Sequence, residues 1–483
     1  MKFLKKMNLV AGIRRGFDMD KKRLVWVVLA VGLLGGCTLA PEYSRPTAPV
    51  PAAWPTGAAY EEGSADGVLP GLPWRSFFTD SRLQQLVEMA LNHNRDLRLA
   101  VLNVEKARAY YGIQRAELWP ALNAAGSGSQ ARVPAELSST GQAYTSERYD
   151  VNLGVSSWEI DFFGRIRSLK DQALQEYFAT EQAQRSAEIL VVSSTAQAYL
   201  TLAADREALQ TAMATLDTQE ATYRLIRKQV DLGIASELDL KRSESQVEAA
   251  RVQIAVWTQE VAQNVNALTL LCGSPPAEAL LPADLNVVTP PREVSAGLSS
   301  EILLQRPDVL AAEHQLKAAN ANIGAARAAF FPRISLTAAI GTASADLSGL
   351  FKDGSGVWSF APKIALPIFD ARTWSAYDYT KAEREIAVAQ YEKAIQDAFK
   401  EVADALAVRG TVERQITAQQ SLVDAVAETY RLSRIRYERG LDSYLAVLDA
   451  QRSLYSAQQG LTAMQLSRLS NRVTLYRVLG GGL

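Results

Sequence analysis

Cysteine and histidine are nearly missing from this chain, with two of each among 483 residues. Two cysteines cannot build a disulfide scaffold, so stability has to come from packing. The histidines, His93 and His314, sit on separate helical stretches without cysteine or carboxylate neighbours at ligand spacing, and no metal site or other cofactor is expected. No strand-to-nucleophile elbow is present. Gly480-Gly481-Gly482 ends the chain behind a helical stretch, which reads as a flexible tail and not as a phosphate loop. Catalysis is not expected, and the chain is not read as an enzyme. Charge of one sign is lacking too: 51 lysines and arginines face 52 acidic residues, so neither nucleic-acid binding nor a disordered acidic tail is expected. Apolar runs of membrane length, about 20 residues, are absent. Even so, 48% of the residues are hydrophobic, enough for an extensive core.

The one apolar run near that length covers residues 24–34, behind Lys21, Lys22 and Arg23. A basic segment followed by a short apolar one reads as a signal peptide, assigned to residues 1–36, with Met1, Met7 or Met19 as the start. Leu34-Gly35-Gly36-Cys37 resembles the cleavage box of bacterial lipoproteins. By that resemblance Cys37 becomes the acylated first residue, carrying palmitate-type chains, and Thr38 behind it favours the outer membrane. Each buried methylene contributes about 0.8 kcal/mol, so several chains on one cysteine anchor firmly. With Cys37 modified, Cys272 is expected to be a small buried hydrophobe. Pro41, Pro46, Pro49, Pro51 and Pro55 mark residues 37–70 as an extended segment between lipid and folded body.

The rest of the chain is written twice. Asp96 and Asp308, like Pro120 and Pro332, are 212 residues apart, each pair bracketing an alanine-rich helical stretch. Thr222-Tyr223-Arg224-Leu225 with Gly233 and Ser236 returns 207 residues later as Thr429-Tyr430-Arg431-Leu432 with Gly440 and Ser443. A tandem duplication follows, with one structural repeat over residues 71–290 and another over 291–483.

Each repeat starts with a helix stopped by proline. Two strand-like runs follow, at about 121–132 and 149–162 in the first repeat (hairpin 121–162), and about 333–344 and 358–369 in the second (hairpin 333–369). Tyr149, Val151, Leu153 and Val155 alternate with polar or small residues, the period-two mark of a sheet with two unlike faces. Proline is then missing from 165–272 and from 370–479. Val247, Ala250, Ile254, Trp257, Val261, Val265 and Leu268 recur at steps of three and four, as on a coiled-coil seam. A helix over 165–232 would be about 100 Å long. Gly233 and Gly440 mark the turns of two antiparallel helical hairpins.

Strands of 10 to 14 residues are expected to be long enough to cross a membrane at a tilt, roughly the 9–11 residues a tilted strand needs. Four strands cannot close a barrel, and an open sheet edge in hydrocarbon costs several kcal/mol per unpaired group. Copies must therefore pool strands, and about twelve, from three copies, begin to leave a lumen.

At this point the residues resemble the outer-membrane factors of tripartite efflux pumps, the TolC/OprM family in its lipoprotein branch. The likeness rests on Cys37-Thr38-Leu39 with Pro41 and Tyr43, on the duplicated Asp96/Pro120 and Asp308/Pro332 blocks, and on Tyr437-Glu438-Arg439-Gly440 leading to Ser443-Tyr444-Leu445-Ala446-Val447-Leu448-Asp449. It implies a mainly α fold with a β-barrel part: two long coiled-coil hairpins and four membrane strands per protomer, closing in a homotrimer as a barrel of about 12 strands and an α-helical tunnel. It also implies a periplasmic adaptor and an inner-membrane transporter as partners, and passive export through the outer membrane from the periplasm. A lipid-anchored periplasmic coiled-coil adaptor is the alternative, but such proteins usually carry one helical hairpin inserted between separate β-domains.

The same resemblance places a periplasmic gate at the helical turns. Tyr437 matches a position that ties neighbouring coils, and Asp239 matches an acceptor on the first hairpin. Leu445 and Asp449, four apart on one helix face, would present an apolar ring and an acidic ring to the pore. Ala446 stands where TolC has a second acid, leaving one acidic ring. Asp442 and Arg242 lie close by.

Cys37→Ala is expected to accumulate as a precursor that keeps residues 1–36 and takes up no labelled palmitate. Intact-mass measurement of the wild type should give the chain from Cys37 plus acyl groups; an unmodified, uncleaved mass would contradict the assignment.

Overall fold

Stretches free of proline let the backbone hydrogen-bond ladder run unbroken. In the computed structural model, which describes residues 38–60, 71–293 and 299–482, the chain forms α1 (Ser81–His93), α2 (Arg95–Ala116), β1 (Leu122–Val133), β2 (Tyr144–Glu159), α3 (Arg165–Asp231), α4 (Glu237–Cys272), α5 (Pro307–Ala328), β3 (Arg333–Ser344), β4 (Gly356–Ala365), α6 (Ala371–Glu438) and α7 (Tyr444–Val478). Helix, two strands, a long helix and a shorter helix thus occur twice in order. The long helices match in length, 67 residues in α3 and 68 in α6. The signal peptide and Cys37 lie outside the described residues. Two compact units emerge, each drawing on both repeats: residues up to 44, 109–174 and 317–385 in one, and 45–108, 175–316 and 386–483 in the other.

The first unit carries a four-stranded antiparallel sheet in the order β1-β2-β3-β4. Its register sorts side chains by polarity. Leu153 pairs with Ile340, which pairs with Trp358, while Ile334 pairs with Ile364; these stand on one face, largely exposed. Asn152, Ser335, Thr337, Ser359 and Lys363 stand on the other. A bulge between Val155 and Trp158 keeps this sorting intact. The extra residue, Ser157, adopts φ 52° and its amide donates to Thr337 Oγ1 at 3.0 Å. Were Ser157 to run in line as a regular strand residue, Trp158 would change to the polar face and Glu159 to the apolar one, because a one-residue slip reverses every side chain. On the polar face Gly154 and Gly341 admit the neighbouring strand so closely that an added Cβ would collide with the backbones of Ala338 and Val151.

Strand ends differ from expectation for local reasons. β2 starts at Tyr144 because Tyr144 and Thr145 still pair with Val133 and Arg132. It stops at Glu159 because Asp161 leaves the ladder to cap α3, accepting from the amides of Ile166 (3.1 Å) and Arg167 (2.9 Å). β4 ends at Ala365, two residues before Pro367, which has no amide to donate.

The second unit is helical. Leu268 of α4 is fully buried against Leu202 of α3 and Leu281, with Val261 and Val265 packed around them; burial of one such leucine contributes about 1.5–3 kcal/mol. Polar side chains set the alignment of neighbouring helices. Asn264 donates to Asp205 at 2.6 Å, Gln197 to the carbonyl of Ser470 at 2.8 Å, and Asn471 to that of Ala405 at 2.9 Å. Burial pushes the Asp205 carboxyl up, and the Asn264 bond opposes that rise. Cys272 is buried, its thiol 3.7 Å from the carbonyl of Leu86 and pushed up to about 11 by burial.

The proline-rich segment has no regular secondary structure over residues 38–60, but it is laid onto each unit by directed bonds. In the sheet-bearing unit Asn320 donates to the carbonyl of Pro41 at 2.8 Å and Arg327 to that of Leu39 at 3.2 Å. In the helical unit Arg45 grips the buried Glu313 at 3.0 and 2.7 Å, and Trp54 stacks on Phe399 at 5.0 Å. The C-terminal glycines are not the flexible tail expected. Gly480 and Gly481, at φ 94° and 64°, close α7 with amide bonds to Arg477 and Tyr476, and the amide of Gly482 donates to the Tyr476 hydroxyl at 2.9 Å.

Ser157→Val, whose β-branched side chain resists the positive φ of the bulge, should reduce folded yield and thermal midpoint, whereas Ser157→Gly, which suits positive φ, should leave both near wild type. Equal melting curves for Ser157→Val and the wild type would contradict the role given to the bulge.

Candidate functional site

The two helical turns share one construction. α3 ends with the Gly233 amide on the carbonyl of Val230 (2.8 Å) and the Ile234 amide on that of Gln229 (2.7 Å). α6 ends with Gly440 on Tyr437 and Leu441 on Arg436, both 2.9 Å. These are paired Schellman closures, and the glycines stand at φ 73° and 71°, where a side chain costs about 1–2 kcal/mol. The helices that follow start differently. Ser236 caps α4, accepting from the Asp239 amide at 3.2 Å while its hydroxyl donates to the Asp239 carboxylate at 2.6 Å. Ser443 makes no side-chain cap, and Ala446 in the corresponding third position has no carboxylate to accept from its hydroxyl.

Ile226, Tyr444, Val447 and Leu448 form a small buried core, with Val230, Ala235, Leu240, Tyr430 and Tyr437 packed on it. This cluster brings residues of both hairpins together. Tyr437 lies 5.4 Å from Tyr444, ring to ring, and its hydroxyl donates to Gln229 Oε1 at 3.0 Å. The hydrogen bond thus links α6 to α3. Burial pushes the Tyr437 hydroxyl up, and the nearby Asp239 carboxylate adds to that; burial does the same to Tyr444.

Asp239 is held within its own hairpin by Ser236 and by Arg242 at 3.6 Å, not by the Tyr437 hydroxyl. Asp442 receives a two-pronged bond from Arg436 at 2.6 and 3.0 Å, which holds its carboxyl below the usual carboxylate range. The side chains of Leu445 and Asp449 stand out from α7, Leu445 40% and Asp449 62% exposed. Arg452, 3.8 Å from Asp449, donates from its Nε to Gln246 of α4 at 3.1 Å.

Sequence reading missed Gln229, Arg436, Tyr444, Gln246 and Arg452 as contributors. A signal existed for the first two: Gln229 and Arg436 are 207 residues apart, the offset of the turn glycines, so both sit at the same place in the closure. His93 and His314 take local roles, with ring nitrogens against the Met89 carbonyl (3.0 Å) and Gln175 Oε1 (2.8 Å).

The outer membrane efflux protein family matches the chain twice, over residues 86–274 and 298–481. The chain is 50% identical over 464 residues to the probable efflux pump outer membrane protein TtgC of Pseudomonas putida, covering 95% of this chain and 96% of that protein. It is 43% identical over 453 residues to the outer membrane protein OprJ of Pseudomonas aeruginosa, covering 93% and 94%. Among solved structures, the open state of the MtrE outer membrane channel of Neisseria gonorrhoeae superposes with TM-score 0.82 at 40% identity, over 92% of this chain and 99% of that one. A membrane protein from Pseudomonas aeruginosa gives TM-score 0.84 at 42% identity, over 92% and 98%. The double match follows the duplication, and the relatives span the chain nearly end to end; it therefore belongs to the outer membrane efflux protein family, the TolC/OprM family, and is an outer-membrane exit duct of the tripartite efflux type reaching into the periplasm.

Proposed function

We propose that three copies of this chain, anchored by acyl groups on Cys37, form a passive duct gated at the helical turns. A periplasmic adaptor and an inner-membrane transporter complete the pump and supply its energy, so the duct itself needs no catalytic group. The observation that carries this reading is the open sheet: among the described residues β1 and β4 each have one edge without a neighbour, and an apolar face lies beside those edges. Exposed amides cannot stay unpaired in hydrocarbon, and strands from further copies satisfy them.

A second observation supports burial between copies. Helix α2 leaves Leu99, Leu102 and Ile113 at 59%, 47% and 60% exposure, whereas the same places in its repeat counterpart α5, 212 residues on, hold Ala311, His314 and Ala325. An apolar stripe on one of two equivalent helices fits a surface that a second copy covers.

At the gate, Leu445 and Asp449 of three chains would face one another across the threefold axis. Three carboxylates in a ring favour cations, and with Ala446 one turn back the ring is single. The Tyr437–Gln229 bond holds the second hairpin against the first, while the Arg436–Asp442 clamp fixes the turn of the second hairpin itself; opening requires that the Tyr437–Gln229 bond part. One hydrogen bond of about 1 kcal/mol per chain makes such a latch easy to release under a docked adaptor. Relatives named for toluene, solvent and antibiotic efflux support small organic molecules as cargo.

In planar bilayers the purified protein should give small, cation-favouring steps. Asp449→Ala should lower cation preference, and Tyr437→Phe should raise the open fraction while leaving the thermal midpoint within a few degrees of wild type. Unchanged selectivity in the alanine variant would remove Asp449 from the aperture.

A further inference from the structure

A recess of about 580 Å³ opens on the polar side of the sheet, within the unit that carries it. Glu117, Trp119, Glu159, Arg165, Arg333 and Lys363 line it. Its charges are unevenly matched. Glu159 accepts two bonds from Arg165, both 2.9 Å, and also lies 2.5 Å from Arg333 Nε. One carboxylate is thereby divided between two guanidiniums. Lys363 stands in the same cross-strand row, opposite Ser335, which is opposite Glu159, and among the described residues it forms no ion pair. Glu117 also lines the recess, so three cations face two carboxylates and one positive charge is left over. The bulge at Ser157 is part of the wall, and the exposed Trp119 adds an aromatic surface.

We propose that this recess binds the anionic head of a soluble amphipathic organic acid, a carboxylate or sulfonate on an aromatic body, as it passes. Lys363 is the charge partner, and Trp119 covers the apolar body. Lys363 is exposed, but a cation in a concave wall beside two guanidiniums attracts an anion more strongly than a lone one on open surface. The inference rests on the duct reading, in which the polar face of the sheet looks into the water-filled lumen and the opposite face meets lipid. Glu117 acts against the ligand: it repels the head that Lys363 attracts.

The test is calorimetric titration of 2-naphthoate into the full-length protein in nonionic detergent, with neutral 2-naphthamide as control. Loss of one charge-assisted contact should make K363Q bind about tenfold more weakly, and the amide should bind wild type about tenfold more weakly than the acid. K363R should hold near wild type, and E117Q should bind more tightly, a gain that damaged folding cannot produce. Equal affinity for K363Q and wild type, equal affinity for acid and amide, or no saturable binding would each overturn the proposal. Conductance of the same preparation separates the two readings. Conduction without Lys363-dependent binding removes the recess and keeps the duct; Lys363-dependent binding without conduction keeps the recess and removes the duct.

Discussion

Everything in this molecule answers to a sheet that is too small to close. Four strands sort apolar from polar side chains across two faces, and among the described residues the amides on the outer edges of β1 and β4 have no strand beside them. In water such edges invite aggregation; in hydrocarbon they cost several kcal/mol per group. Under the proposed trimeric duct, membrane insertion and assembly are therefore one event for this chain. The bulge at Ser157 and the close strand approach at Gly154 and Gly341 serve the same end, keeping polarity sorted and the polar face thin.

Duplication supplies the remaining architecture economically. Two copies of one plan give two strand pairs and two helical hairpins, and the hairpins end in the same glycine closure. The copies then diverge where function demands it. Ser236 and Asp239 lock the start of α4, while Ser443 and Ala446 leave the start of α7 uncapped. The second hairpin, which carries Leu445 and Asp449, thus starts its returning helix without the side-chain cap that the first has, a difference in keeping with the gate proposed there. Unequal exposure of α2 and α5 is the same divergence seen at a surface.

Most of the fold was legible because its signals are long-range and redundant. Proline-free stretches of about a hundred residues, matching offsets and alternation in Tyr149–Val155 each constrain topology without fine detail. The turn positions followed from Gly233 and Gly440, since a helix can close on a left-handed residue at little cost only with glycine. Finer features escaped because they depend on tertiary neighbours. The repeat offset marks the place of Gln229 in the closure but not that its side chain accepts the Tyr437 bond, and the bulge shows only in how Trp158 meets Leu336. The terminal glycines misled for a similar reason: their sequence permits disorder, and contact with Tyr476 removes it.

The central claim, that the open sheet forces copies of this chain to pool their strands, is tested most directly by the mass of the purified mature protein in detergent, with bound detergent subtracted. Three times the mass of the mature chain, lost together with sheet signal on heating, is the result this account predicts. A monomer that keeps its sheet and inserts stably into lipid would contradict it.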